Sequence, residues 1–103
     1  MEDMVLKRKI LSAGRFVIPR KFASKLGIKK FENLEISVKY GDLCISKFDN
    51  ENLKRKAHVG IIRKPNSDLI IQIPKEYMKL LKLKEDDFVE CYLRENKIII
   101  CKK

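Results

Sequence analysis

At 103 residues, 45% apolar and 37% charged, the chain is long enough for one packed core and too rich in regularly spaced hydrophobes to be disordered. Lys and Arg number 24 against 14 Asp and Glu, a net charge of +10 that points to a polyanionic partner. Three cysteines without a C-x-x-C pair, and a single histidine at His58, argue against a zinc site, and the apolar runs are far too short to span a bilayer.

In chain order, Met4 to Ile10 reads as an edge-type strand with Lys7-Arg8-Lys9 exposed. Leu11 to Gly14 makes a turn into a short strand in which Phe16 and Ile18 alternate with Arg15 and Val17. Pro19 presets φ at the first helical position, Phe22 and Leu26 share one face of a helix over Arg20 to Leu26, and Gly27 ends it. Gly27 to Asn33 is a return loop. Leu34, Ile36 and Val38 then alternate with Glu35, Ser37 and Lys39, and a tight turn at Tyr40-Gly41-Asp42 leads into a partner strand carrying Leu43 and Ile45. Residues 49–58 have turn formers and a basic run without a period, which marks a linker. Beyond it come a strand over Val59 to Arg63, a turn over Lys64 to Asp68, a strand over Leu69 to Ile73, a helix over Lys75 to Leu81, and a hairpin of Phe88 to Arg94 with Lys97 to Cys101. Lys82 stands where the first helix has Gly27, so this second stop is less sharply encoded.

The second half repeats the first. A gapless shift of 55 lays Met4–Phe48 on Val59–Lys103 with 10 identities in 45 positions, against roughly three expected by chance. Pro19 falls on Pro74, Ile18 on Ile73, Phe22 on Tyr77, Leu26 on Leu81 and Glu35 on Glu90. Cys91 takes the place of Ile36 and Cys44 that of Ile99, so these thiols occupy apolar strand positions. The chain therefore divides into a first repeat at 1–48, a linker at 49–58 and a second repeat at 59–103. A unit of about 45 residues is marginal alone. The two should bury each other, or copies in a second chain, so a monomeric pseudo-dimer and a homodimer are both open, the first favoured by the high effective concentration of linked halves.

Charge is unevenly spread. Between Lys7 and Lys30 there are nine Lys or Arg and no acid, whereas Glu85-Asp86-Asp87 gathers three acids. Segregation of this kind suits duplex nucleic acid. Arg8, Arg15 and Arg20 are the candidates for orientation-sensitive contact, because a guanidinium forks onto guanine or phosphate; Lys7, Lys9, Lys21, Arg63, Lys64 and Lys75 are candidates for phosphate. No nucleophile motif, phosphate-binding loop or metal-ligand cluster suggests an enzyme, and no cofactor is implied. Met1-Glu2-Asp3-Met4 does not resemble a signal peptide, and with an odd number of thiols the expected location is the cytoplasm.

The pattern R-K-I-x-x-x-G-R-F-V-I-P-x-x-x-x-x-x-L-G-I over Arg8 to Ile28, followed by L-E-I-x-V and a hairpin ending L-C-I-S-K, resembles the AbrB/MazE/SpoVT family of swapped-hairpin DNA-binding domains. The likeness covers essentially the whole first repeat. In the second, I-I-Q-I-P-K and a following L-K-L are similar to more divergent, antitoxin-like members. The resemblance implies a mainly β fold with short helices: a swapped-hairpin barrel of two tandem ββαββ repeats related by a pseudo-two-fold. It also implies a nucleoid-associated regulator that contacts double-stranded DNA through basic hairpin loops and short helices at one end. Arg8 and Arg15 match positions that contact DNA in the family. A helical Arg pair of the family is replaced by Ala23-Ser24, with Arg20 and Lys21 one turn earlier as substitutes, and Gly14-Arg15 becomes Leu69-Ile70 in the second repeat. Two rivals are an autoregulating antitoxin and a non-specific architectural DNA binder. A toxin partner is not favoured, because no acidic tail follows the last strand.

Overall fold

The structure, a computed structural model, describes residues 4–48 and 60–102. The expected linker at 49–58 lies outside the described residues. Among the described residues, eight strands and two α-helices follow one another as β1 (Leu6–Lys9), β2 (Arg15–Val17), α1 (Arg20–Leu26), β3 (Leu34–Lys39), β4 (Asp42–Lys47), β5 (Ile61–Arg63), β6 (Ile70–Gln72), α2 (Lys75–Leu81), β7 (Phe88–Arg94) and β8 (Lys97–Lys102), with a 3-10 turn at Ser12–Gly14. Both helices have the bounds that the sequence predicts. Pro19 and Pro74 sit one position earlier than expected, as caps with extended ψ (131° and 138°) whose carbonyls receive the first helical N–H groups. Each helix ends in the left-handed region, at Gly27 (φ 73°) and at Lys82 (φ 58°).

Six strands make one antiparallel sheet in the order β1–β7–β8–β4–β3–β5, and β2 pairs with β6 in a separate ladder. The sheet is open, with β1 and β5 at its edges, rather than closed on itself. Both edge strands are short and β1 carries outward lysines, which blunts them against pairing with other chains. The N-terminal strand of each half pairs with the hairpin of the other: Leu6 lies opposite Cys91 and Ile61 opposite Ile36.

The core lies between sheet and ladder. Phe16 and Ile71 from the ladder, Phe22 from α1, and Leu34, Ile36, Leu43, Ile45, Val89, Cys91, Ile98 and Ile100 from the sheet join one buried cluster. Burying each large aliphatic or aromatic side chain contributes about 1.5–3 kcal/mol. Cys44 and Ile99 are buried but outside that cluster, because alternation turns them to the sheet's other face.

Distances recur at the 55-residue spacing. Ile18 N–H donates to Leu69 O at 2.9 Å and Ile73 N–H to Gly14 O at 3.0 Å. Lys47 Nζ donates to Gly27 O at 3.2 Å and lies 3.3 Å from Glu32, while Lys102 Nζ donates to Lys82 O at 2.6 Å and lies 3.6 Å from Asp87. A lysine thus sits at each helix C-terminus, where cations are favoured. Apart from Ala13, each positive-φ residue among those described has a counterpart: Gly14 with Leu69, Gly27 with Lys82, Phe31 with Asp86, Tyr40 with Glu95 and Gly41 with Asn96.

Candidate nucleic-acid interface

The two-stranded ladder turns Phe16 and Ile71 inward, so its outer face carries Arg15 opposite Gln72 and Val17 opposite Ile70. Arg15 is held by the turn that precedes it: Nε donates to Ser12 O at 3.1 Å and Nη2 to Ser12 Oγ at 2.9 Å. From the opposite strand Gln72 Nε2 donates to Ala13 O, so side chains from both strands grip the same three-residue turn. Gly14 fits there because φ is 74° and an added Cβ would lie 3.3 Å from Gln72 Nε2. The corresponding turn in the second half is frozen differently, by Asn66 Oδ1, which accepts the N–H groups of Asp68 and Ile70 at 2.9 Å each.

Beside the ladder, β1 and the start of α1 enclose a cleft of about 340 Å³. Leu6, Val17, Ile18 and Pro19 form its apolar surface, and Arg8, Arg20 and Lys21 supply three cations with no acid among the lining residues. The first turn of α1 also lacks an acid, whereas that of α2 has Glu76. Arg8 departs from the exposed position expected for it. It shares the inward side of β1 with Leu6, opposite Val89, is half-buried, and donates from Nη1 to Lys7 O at 2.8 Å. Arg63 repeats this with a 3.0 Å bond to Ile62 O.

Lys7 and Lys9 project from the opposite side of β1, away from Arg8. Lys7 borders a separate cleft with Asp87, Phe88 and Lys102, and Lys9 lies 4.0 Å from Asp86 and 5.6 Å over the Phe88 ring. Lys64 and Lys75 are exposed, Lys75 opening α2 as Arg20 opens α1. The structure thus gathers Arg8, Arg20 and Lys21 around one cleft, leaves Arg15 outside its lining on the ladder face that it shares with Val17, and separates Lys7 and Lys9 from the cleft.

Gln72, Ser12 and Asn66 were missed as site-shaping residues in the sequence. Alternation with Ile71 and Ile73 marks Gln72 as outward-facing, and Asn66 stands among turn formers, but neither pattern names the carbonyl or amide that each one holds. Among the described residues no group of three His, Cys, Asp or Glu could hold a metal, and no helix is long and apolar enough to cross a membrane.

No family model and no curated protein matches the chain. Among solved structures, the chain is similar to the solution structure of PHS018 from Pyrococcus horikoshii, with a TM-score of 0.55 and 16% identity over 99% of this chain and 94% of that one. At that identity the likeness is one of fold.

Proposed function

We propose that the protein binds double-stranded DNA as an AbrB/MazE/SpoVT-like transcriptional regulator, on a swapped-hairpin body made of two tandem repeats. The observation that carries this reading is the acid-free cleft holding Arg8, Arg20 and Lys21 next to the ladder that presents Arg15. Guanidinium groups anchored on a rigid turn and a helix start lose little freedom on meeting phosphate or a guanine edge. The net charge of +10 supplies long-range attraction. In support of the interleaved repeats stand the pairing of each N-terminal strand with the other half's hairpin and the counterpart turns.

The face is lopsided. Where the first half has Arg15, Arg20 and Lys21, the second has Ile70, Lys75 and Glu76. The first half therefore reads bases and the second adds phosphate contact through Arg63, Lys64 and Lys75. A mobility-shift titration across salt, with footprinting, tests the proposal. With about four to six phosphates neutralised, log K falls against log salt with a slope of roughly −4 to −5. The double variant Arg20→Ala/Lys21→Ala lowers that slope by about 2. A flat salt response, or wild-type behaviour of the double variant, overturns it. Protection of a discrete stretch marks site-specific regulation, and uniform protection marks architectural coating.

A further inference from the structure

The outward residues of the β2–β6 ladder form two cross-strand pairs of different chemistry. Arg15 and Gln72 are both exposed and lie opposite each other, and two residues along the strands Val17 lies opposite Ile70. Opposed side chains in such a ladder start roughly 5 Å apart. Both polar side chains fold onto the turn that leads into β2, Arg15 against Ser12 and Gln72 against Ala13. Their ends therefore sit side by side over neighbouring residues.

Those bonds decide which groups are left for a ligand. A guanidinium carries five donors in one plane. The Arg15 edge made by Nε and Nη2 faces Ser12, so the edge made by Nη1 and Nη2 has no partner among the described residues. Gln72 Nε2 donates to Ala13 O and, at 3.4 Å, to Ile73 O, which uses both of its hydrogens. Two carbonyls on Nε2 also fix the amide's orientation, since an oxygen in that place would oppose both of them. Oε1 is then turned away from the turn, without a partner among the described residues.

The pair presents two parallel donors beside one acceptor. A phosphate satisfies the fork but sets its own oxygens against Oε1. The major-groove edge of a G·C pair complements the whole set: guanine N7 and O6 accept, and the cytosine N4 amino group donates next to them. That groove is about 12 Å wide and admits a two-stranded ribbon. Val17 and Ile70 beside the polar pair add an apolar surface of the kind a thymine methyl takes, and no further charge.

We propose, on the DNA-binding reading above, that this ribbon enters the major groove with Arg15 on guanine N7 and O6 and Gln72 Oε1 on the cytosine amino group of the same base pair. Gln72 belongs to the half otherwise assigned to phosphate contact, so the reading unit is assembled across both halves. It occurs once per chain, because the 55-residue shift puts Ile70 at the Arg15 position and Val17 at the Gln72 position.

The test is binding-site selection by the full chain from duplexes with a randomised centre, followed by competition assays on the selected duplex. One G·C position is expected whose replacement by A·T weakens the wild type about tenfold or more. At that position 7-deazaguanine, which lacks the N7 acceptor, and N4-methylcytosine, whose methyl group displaces the groove-side hydrogen, each weaken the wild type. Arg15→Ala is indifferent to the first and Gln72→Ala to the second. Amide NMR spectra unchanged outside residues 12–17 and 70–73 show that both variants are folded. Salt-dependent duplex binding with no such position, with the N4-methyl group tolerated by the wild type, or with the two variants altering different positions overturns the proposal and leaves the DNA-binding reading standing. A flat salt response with no enriched sequence overturns both.

Discussion

Phe16 lies opposite Ile71 in the β2–β6 ladder, the two residues stand 55 positions apart, and both are buried. Each half thus places the same position of its short strand against its counterpart, and the two side chains enter one core together. Phe16→Ala leaves a cavity at the centre of the body and should cost about 3–5 kcal/mol, with Ile71→Ala costing about 2–5 kcal/mol. Because the two share one space, the double variant should lose less than the sum, by about 0.5–3 kcal/mol. Urea midpoints at a common m-value measure all three, and strict additivity would show that the two residues do not pack as one unit.

The helix ends give a mirror-image pair of substitutions. Lys82 adopts φ 58°, whereas Gly27 meets the same demand at φ 73°. Lys82→Gly should therefore stabilise by about 0.5–1 kcal/mol, the relief of left-handed strain exceeding the entropy that glycine adds to the unfolded chain. Gly27→Ala should destabilise by about 1 kcal/mol through that same strain. Steric conflict adds little there, since among the described residues the new Cβ would meet only Lys47 Nζ, at 3.6 Å. Thermal melts of the two variants should shift in opposite directions.

Cys91 lies wholly inside the core, and burial pushes its thiol up to about 12. In the unfolded chain it ionises near 9, so the unfolded state gives up its proton first as pH rises. The stabilising contribution is complete below pH 9 and is lost between there and about 12. In that window stability should fall by up to about 1.4 kcal/mol per pH unit from this group, and Cys91→Val should remove that part of the slope. Denaturant titrations at pH 8, 9.5 and 10.5 read the difference. A thiol reagent applied to the native protein should modify the half-buried Cys101 ahead of Cys44 and Cys91.

Much of the local structure was legible because it depends on single residues with hard constraints. Pro19 and Pro74 preset the helix starts, apolar spacing gave one buried side to α1, and the alternation of Leu34, Ile36 and Val38 gave β3 its inward face. The end of α2 was less legible, since Lys82 takes a left-handed conformation that its side chain does not advertise. Arg8 was misplaced by treating Lys7-Arg8-Lys9 as one charged run. Period-two alternation with Leu6 and Ile10 turns it inward, and its guanidinium reaches a cleft only because β1 crosses to β7 of the other half. Closure of the sheet was inferred from the cost of exposed edges. The chain meets that cost with short edge strands and outward lysines rather than by joining β1 to β5.

A symmetric assembly of identical subunits must set every residue on its rotation axis against its own twin. On the tandem-repeat reading proposed above, one covalent polypeptide is released from that rule, and Cys44 meets Ile99 where a true dimer would bring together two cysteines or two isoleucines. Large can then be matched with small along the axis, and mutations on one side need not be copied on the other. Each half is free to specialise while the shared interior keeps both folded.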